Sequence, residues 1–227
     1  MNMEADKLEE LLPSELGTKE YWDSAYIVEI ENFKNNGDVG EVWFGEESAT
    51  RIIRWLTKFD QVSRDDPVID VGCGNGMMLF ELMEEGFTNL TGVDYSEKAI
   101  ELANRIALER ESTNIKFMLC DIVGEEVDLR DYKVVLDKGT YDAISLSPEN
   151  AHAQRKAYKA NLTKLLRPEG LFVIASCNWT EEELRQHFDS DFAVSAVIPA
   201  PKFQFGGKVG SSVTTLVFQH KNNETGS

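Results

Sequence analysis

A short apolar run that leads into three alternating glycines most constrains how this chain can fold. Residues Pro67–Val71 predict a buried strand, and Gly72–Gly76, with the sequence GCGNG, predict a tight turn. Residues Met77–Glu85 then predict a helix, which Gly86 can end in the left-handed conformation. Glycines are needed where backbone turns sharply against a ligand, because a Cβ would collide there. The unit therefore predicts an α/β fold with a binding site at the glycine turn.

Strand-like and helix-like patterns alternate along the rest of the chain. Further strands are predicted at 90–93, 115–119, 133–136, 171–175, 193–198 and 213–219, with a turn at 167–170. Further helices are predicted at 20–33, 46–59 and 154–166, after a cap at Ser96, and after a capping box of Thr180 and Glu183. Helical crossovers between the early strands imply five parallel strands, whereas the final two strands, joined by a loop, should form an antiparallel hairpin.

These elements predict a Rossmann-like α/β fold of the class I methyltransferase type. We expect a seven-stranded, mostly parallel sheet with a C-terminal antiparallel hairpin and helices on both faces. A dinucleotide dehydrogenase would instead continue with helical crossovers. The 227 residues suit one domain, predicted at 14–220. The polar segments 1–13 and 221–227 are expected to be flexible.

Three carboxylates follow three successive predicted strands. Asp70 can accept hydrogen bonds from the turn amides or from a ligand ammonium, and Asp94 can hold both hydroxyls of a ribose. Asp121 can accept from an adenine amino group, with Ile122 and Tyr95 packing on the ring. Open α/β sheets bind ligands at the carboxyl ends of their strands. These side chains therefore predict a site for an adenine nucleoside.

The spacing of the glycines bears on which nucleoside is bound. The third glycine, Gly76, arrives one residue earlier than in a dinucleotide fingerprint, and Met77 stands where that fingerprint requires glycine. A pyrophosphate therefore fits less well than an amino-acid-bearing nucleoside. Together with the three aspartates, Gly72 and Gly74 favour S-adenosyl-L-methionine (SAM) over a nicotinamide dinucleotide.

Composition limits the partners and the compartment. The net charge of −17 opposes nucleic-acid binding; it suits a basic protein partner, or it simply keeps the chain soluble. Three cysteines without CxxC spacing and three scattered histidines predict neither disulfides nor a metal site. The sequence lacks a signal-peptide pattern and an apolar run of about 18 residues. We therefore expect a cytoplasmic monomer that binds no membrane.

Several further motifs resemble those of the lysine methyltransferases that modify translation elongation factor 1-alpha (EEF1A). The matching segments are 14–23, 43–48, 137–140 with 142–145, 176–180 and 201–207. The resemblance extends over residues 14–219 and implies SAM as cofactor and a lysine of EEF1A as substrate. It also implies that Trp22, Tyr26 and Trp43 close over the cofactor. The remaining cofactor contacts that it implies are Gly72, Asp94, Tyr95, Asp121, Ile122 and Lys138.

A lysine substrate must lose a proton before it attacks the methyl group, because its reference pKa is about 10.4. We predict that Asp137 orients the incoming amine, and that Trp43, Phe44 and Trp179 form an aromatic channel that offers cation–π contacts. Asp137 could instead be a structural acceptor for loop amides. Three alternatives stay open at this point: a small-molecule SAM methyltransferase, a nicotinamide oxidoreductase and a SAM-binding module without catalysis.

Overall fold

A computed structural model of the chain describes residues 10–201, 203–205, 208–210 and 213–221. The strands are β1 (Val68–Val71), β2 (Leu90–Asp94), β3 (Ile115–Leu119), β4 (Tyr132–Lys138), β5 (Leu166–Ser176), β6 (Phe192–Val197), β7 (Phe203–Phe205), β8 (Lys208–Gly210) and β9 (Thr214–His220). The helices are α1 (Lys19–Asn36), α2 (Gly45–Lys58), α3 (Met77–Glu84), α4 (Glu97–Glu109), α5 (Thr140–Ser145), α6 (Ala151–Leu165) and α7 (Glu181–Phe188).

Seven of the strands form one sheet in the order β3-β2-β1-β4-β5-β9-β6. Strands β1 to β5 are mutually parallel, and β9 runs antiparallel to both β5 and β6, between which it lies. The predicted sheet and its antiparallel C-terminal pair are therefore confirmed. The connection between β6 and β9 also contains a separate two-stranded sheet, β7 with β8, which the sequence did not predict.

Each face of the sheet is covered by its own hydrophobic cluster. Val68 and Leu136 point to one side and pack with α1 to α4, whereas Ile69 and Val135 point to the other side and pack with α5 to α7. This division follows from the alternation of side chains along a strand. Helices on both faces are thus confirmed, and the strand ends are left free to form a site.

Two local predictions need correction. Helix α5 was not predicted, because six residues are too few to show a helical repeat. The turn predicted at 167–170 lies within β5: Tyr132 pairs with Leu166, but Val134 pairs with Leu171. The extra residues therefore bulge from the strand rather than precede it.

The beginning of the described chain lies against α5 and α6. A 3-10 turn at Glu15–Gly17 follows Ser14, whose amide donates to the Leu146 carbonyl at 3.0 Å. Glu10 accepts a hydrogen bond from Arg155 at 2.6 Å. The first nine residues, the last six and parts of the 201–207 motif lie outside the described residues, as do most positions of the two predicted flexible segments. Within the described ranges, no helix is long and apolar enough to cross a bilayer.

Candidate active site

A cavity of about 420 Å³ opens at the carboxyl ends of β1 to β5. The predicted residues that line it are Trp22, Tyr26, Trp43, Phe44, Asp70, Gly72, Gly74, Asp94, Tyr95, Asp121, Ile122 and Lys138. The structure thus brings together every predicted cofactor residue and two of the three predicted channel residues, Trp43 and Phe44. Asp137 and Trp179 do not line the cavity.

The glycine turn is held close to its neighbours at the floor of the cavity. The amides of Gly72 and Cys73 both donate to the Val93 carbonyl, at 2.7 and 2.9 Å. Gly72 and Gly74 have φ angles of +68° and +54°, which L side chains rarely adopt. A Cβ on Gly74 would lie 2.6 Å from the Tyr26 hydroxyl. Glycine is therefore required both by the backbone conformation and by the space.

Asp70 is a buried acid whose carboxylate accepts no hydrogen bond from the part of the chain that the structure describes. Its residue is 3% exposed and lines the cavity, yet none of the hydrogen bonds among the described residues involves its side chain. Burial raises the pKa of this carboxyl to about 7, and the nearby Lys138 ammonium opposes the rise. Buried polar groups are nearly always hydrogen-bonded. Asp70 is therefore positioned to receive a cationic group from a ligand.

Asp94 links the glycine turn to the end of β2. One carboxylate oxygen accepts from the Gly74 amide at 3.0 Å and the other from the Ser96 amide at 2.9 Å. Burial raises its pKa to about 6, against the effect of these backbone donors. Each oxygen keeps a second lone pair, so the carboxylate can still accept from two ligand hydroxyls.

The far end of the cavity, beside β3, has the character expected of an adenine site. Asp121 is exposed, and its carboxylate accepts from the Val123 amide at 3.0 Å. Ile122 is buried, and its carbonyl accepts from Asn161 at 2.9 Å. With the half-buried Tyr95 ring, these residues offer apolar surface for a flat ring and a carboxylate at its edge.

Three aromatic side chains form a roof over the glycine turn. The Trp22 ring stacks on Tyr26 at 6.1 Å between centroids and meets Trp43 edge-on at 4.8 Å. The Trp22 indole N–H donates to the Leu16 carbonyl at 2.8 Å. These contacts fix the roof on α1 and on the loop that follows it.

Two polar side chains tie the loop between α1 and α2 to the sheet. The Lys138 ammonium donates to the Trp43 carbonyl at 2.9 Å, and burial lowers its pKa. The Asn75 amide donates to the Val39 and Glu41 carbonyls at 3.0 and 3.3 Å. Sequence reasoning gave Asn75 no role, because its partners are distant in sequence and lie in a loop without a pattern.

Asp137 faces the core behind the cavity. It is 1% exposed, and it accepts hydrogen bonds from the Thr140 and Tyr141 amides at 2.9 and 3.0 Å and from the Tyr158 hydroxyl at 2.6 Å. Burial raises its pKa to about 7, although these donors favour the charged form. These contacts agree with the alternative interpretation of the sequence, in which Asp137 is a structural acceptor for the backbone amides at the start of α5.

Asp137→Ala is expected to lower the free energy of unfolding by about 2–4 kcal/mol, because two amides and a hydroxyl would lose their acceptor. Tyr158→Phe is the matched control: it removes one of those donors and should cost about 1–2 kcal/mol. Urea unfolding measures both values. An Asp137→Ala protein with unchanged stability and no methyl transfer would support the catalytic role instead.

Trp179 is also buried away from the cavity, whereas its neighbour Asn178 lines it. The Trp179 ring is 3% exposed, its N–H donates to the Ser145 hydroxyl at 3.3 Å, and it meets His187 edge-on at 4.5 Å. The structure therefore places Trp179 in the core between α5 and α7. Asn178, which sequence reasoning did not assign, lies at the end of the cavity nearest β5.

Comparison with known proteins decides the family. A family profile described as a methyltransferase domain matches residues 63–221. The Danio rerio protein named EEF1A lysine methyltransferase 2 is 48% identical over 213 residues, which cover 94% of this chain and 91% of the relative. The chain belongs to the EEF1A lysine methyltransferase family. The protein-lysine N-methyltransferase EFM4 of Saccharomyces cerevisiae is 38% identical, over 94% of this chain and 98% of the relative.

The fold of this EEF1A lysine methyltransferase family member agrees with solved structures. Magnesium protoporphyrin IX methyltransferase from Synechocystis, solved with bound S-adenosylhomocysteine (SAH), superposes with a TM-score of 0.62. It is 18% identical and covers 88% of this chain and 96% of its own. At so low a sequence identity, the superposition shows a shared fold, that of the class I methyltransferases, and nothing about the substrate.

The cofactor of this family member is SAM, and the residues of the cavity fit it. The unpaired Asp70 carboxylate suits the ammonium of the methionine part. The glycine turn leaves space where any Cβ would intrude, Asp94 suits the ribose hydroxyls, and Asp121 suits the adenine amino group. The site would hold SAM with its adenine toward β3 and its amino acid beneath the aromatic roof.

Proposed function

We propose that this chain transfers a methyl group from SAM to the side-chain amine of a lysine in EEF1A. The observation that carries this proposal is the similarity to relatives from zebrafish and budding yeast over 94% of the chain, since both are named as protein-lysine or EEF1A lysine methyltransferases. The same names argue against a small-molecule methyltransferase, a nicotinamide oxidoreductase and a non-catalytic module.

The cavity supports the proposal by its chemistry. Bound SAM supplies a methyl group on a positively charged sulfur, so the leaving group needs no activation by the protein. The task of the protein is to align the reacting atoms. Asp70 and the glycine turn would fix the amino-acid end, and the roof around Trp22 and Trp43 would keep the site dry. Lys138 holds that roof through the Trp43 carbonyl.

The surroundings of the acceptor end favour a neutral amine. Phe44, Ala143 and Leu146 line the cavity beyond the aromatic roof. An amine that enters these apolar surroundings loses hydration, which lowers its pKa because the charged form is disfavoured. The positive sulfonium lowers that pKa further. A dedicated base is then unnecessary, and solvent at the mouth of the cavity can take the proton.

The net charge of −17 suits a basic surface on the protein substrate, because complementary charge speeds encounter. Glu20, Glu41 and Glu149 are exposed at the rim of the cavity, where a basic segment beside the target lysine would approach. The cytoplasmic location and the monomeric state stay predictions from the sequence.

A labelling experiment tests the proposal. The purified protein is incubated with methyl-labelled SAM and a cell lysate that has been depleted of its own enzyme, and the products are separated by mass. We expect one labelled band at the size of EEF1A, which disappears with excess SAH. Mass spectrometry of that band then locates the lysine. Label confined to small molecules, or SAM binding without transfer, would contradict the proposal.

A further inference from the structure

The strand order divides the cavity into a cofactor part and a part that the cofactor does not need. Asp121 follows β3, Asp94 ends β2, Asp70 lies on β1, and Asn178 follows β5. Adjacent strands lie about 4.8 Å apart, so the ends of β1 and β5 are separated by about 10 Å. If SAM occupies the β3-to-β1 part, as the proposed function requires, the acceptor must enter from the β5 side.

Asn178 is held in place by the backbone on both sides of it. The Ser176 hydroxyl oxygen accepts from the amides of Asn178 and Trp179, at 3.2 and 3.0 Å. The amide of Cys177 donates to the Asp142 carboxylate at 2.8 Å, and the Ser176 hydroxyl donates to the other oxygen of Asp142 at 2.5 Å. The loop is thereby tied to α5, so Asn178 has a fixed position at the cavity.

The side chain of Asn178, unlike its backbone, is available to a ligand. Among the described residues its carboxamide takes part in one weak contact, in which Oδ1 accepts from the Cys177 thiol at 3.7 Å. The residue is half-buried and lines the cavity. By contrast, the nearby Asp142 carboxylate has both oxygens occupied by Ser176 and Cys177.

A neutral carboxamide is the appropriate group to contact an amine that is about to accept a methyl group. The attacking nitrogen must be uncharged, with its lone pair toward the methyl group. A carboxylate in contact with the amine would favour the ammonium and raise its pKa, whereas a carboxamide oxygen accepts an N–H without adding charge. Such a hydrogen bond leaves the lone pair free and fixes its direction.

We propose that Asn178 binds the substrate lysine, with its Oδ1 accepting a hydrogen bond from the amine and its backbone fixed by Ser176 and Asp142. This inference rests on the proposed function. It assigns to the loop after β5 the role of orienting the amine, which the sequence analysis gave to Asp137. The neighbouring Trp179 instead anchors the loop through its hydrogen bond to Ser145.

Three variants test the inference with purified EEF1A and labelled SAM. Asn178→Ala should lower kcat/KM for EEF1A roughly tenfold to a hundredfold, the effect of losing one positioned hydrogen bond. Its affinity for SAH, measured by calorimetry, should match that of the wild type. Asn178→Asp keeps an acceptor oxygen but adds a charge that favours the ammonium, so its kcat/KM should fall at neutral pH and recover as the pH rises, which a merely structural role would not produce. The control Asn104→Ala, at an exposed position on α4, should be indistinguishable from wild type.

The outcomes separate this inference from the proposed function. Wild-type protein that leaves EEF1A unlabelled overturns the proposed function and the inference with it. Wild-type protein that labels EEF1A, beside an equally active Asn178→Ala variant, overturns only the role of Asn178. A parallel loss of SAH affinity and activity in Asn178→Ala would also overturn it, because the residue would then support the cofactor site.

Discussion

Replacing Asp70 with asparagine should weaken SAM binding by between roughly 30-fold and a few thousandfold. Truncating one partner of a buried charge pair costs about 2–5 kcal/mol, and we expect the buried Asp70 carboxylate to pair with the ammonium of SAM. Asparagine has nearly the same shape, so the loss reports the charge rather than the packing. Calorimetric titration with SAM measures it, and the exposed Asp60→Asn is the control.

The same variant should be more stable than the wild type when no cofactor is bound. Burial raises the pKa of Asp70 from its usual 3.8 to about 7, so between these values the folded state binds more protons than the unfolded state. The wild type therefore loses stability as the pH rises through this window. The advantage of Asp70→Asn should be absent near pH 4 and reach a few kcal/mol above pH 7.

Urea unfolding at several pH values, with and without SAM, measures both effects of the substitution: the higher free energy of unfolding without cofactor and the weaker binding of SAM. The wild type should gain stability on addition of SAM, because the ligand binds the folded state only. The Asp70→Asn protein should gain far less at the same SAM concentration. A variant that binds SAM as tightly as the wild type would remove Asp70 from the cofactor site.

Gly72→Ala should disrupt both the fold of the turn and the cofactor site. An added Cβ would overlap the Thr140 hydroxyl oxygen and lie 2.9 and 3.0 Å from the Thr140 Cγ2 and Cβ. That hydroxyl donates to the Val71 carbonyl at 2.7 Å, so it cannot turn away without losing a bond. The left-handed φ adds about 1–2 kcal/mol, and overpacking adds about 1–3 kcal/mol.

A second glycine separates these two contributions. Gly37 ends α1 with a φ of +69°, but an added Cβ there would meet nothing within 4 Å. Gly37→Ala should therefore cost only the conformational part and leave SAM binding intact. Thr140→Ala should partly restore a Gly72→Ala protein, because it removes two of the overlapping atoms. Equal losses in the two glycine variants, measured by urea unfolding, would contradict the steric argument.

Sequence reasoning located the cavity because topology dictates where it must lie. Parallel strands share one carboxyl edge, so Asp70, Asp94 and the glycine turn had to lie close together there. The aromatic roof of Trp22, Tyr26 and Trp43 came from the resemblance to a family rather than from a pattern. These side chains reach the turn from α1 and from the loop that follows it, and no local sequence pattern predicts how those two elements pack.

The acceptor side was harder to predict because it depends on which way single side chains face. Lys138 lines the cavity, whereas the adjacent Asp137 faces the opposite core, as alternation along β4 requires. Asn178 lines the cavity, whereas the adjacent Trp179 is buried. The sequence named Lys138 as a cofactor contact but gave the acceptor role to the buried Asp137, and after β5 it named the buried Trp179 rather than Asn178. Helix α5, which the sequence did not predict, holds both buried neighbours, because Tyr141 donates to Asp137 and Ser145 accepts from Trp179.

A crystal structure of the protein with SAH tests the central claim most directly. We predict that the ligand amino group lies within hydrogen-bond distance of Asp70, the ribose hydroxyls at Asp94 and the adenine amino group at Asp121, with Asn178 facing the sulfur from the β5 side. SAH bound elsewhere, or bound in this cavity with Asp70 and Asp94 out of contact, would contradict the account.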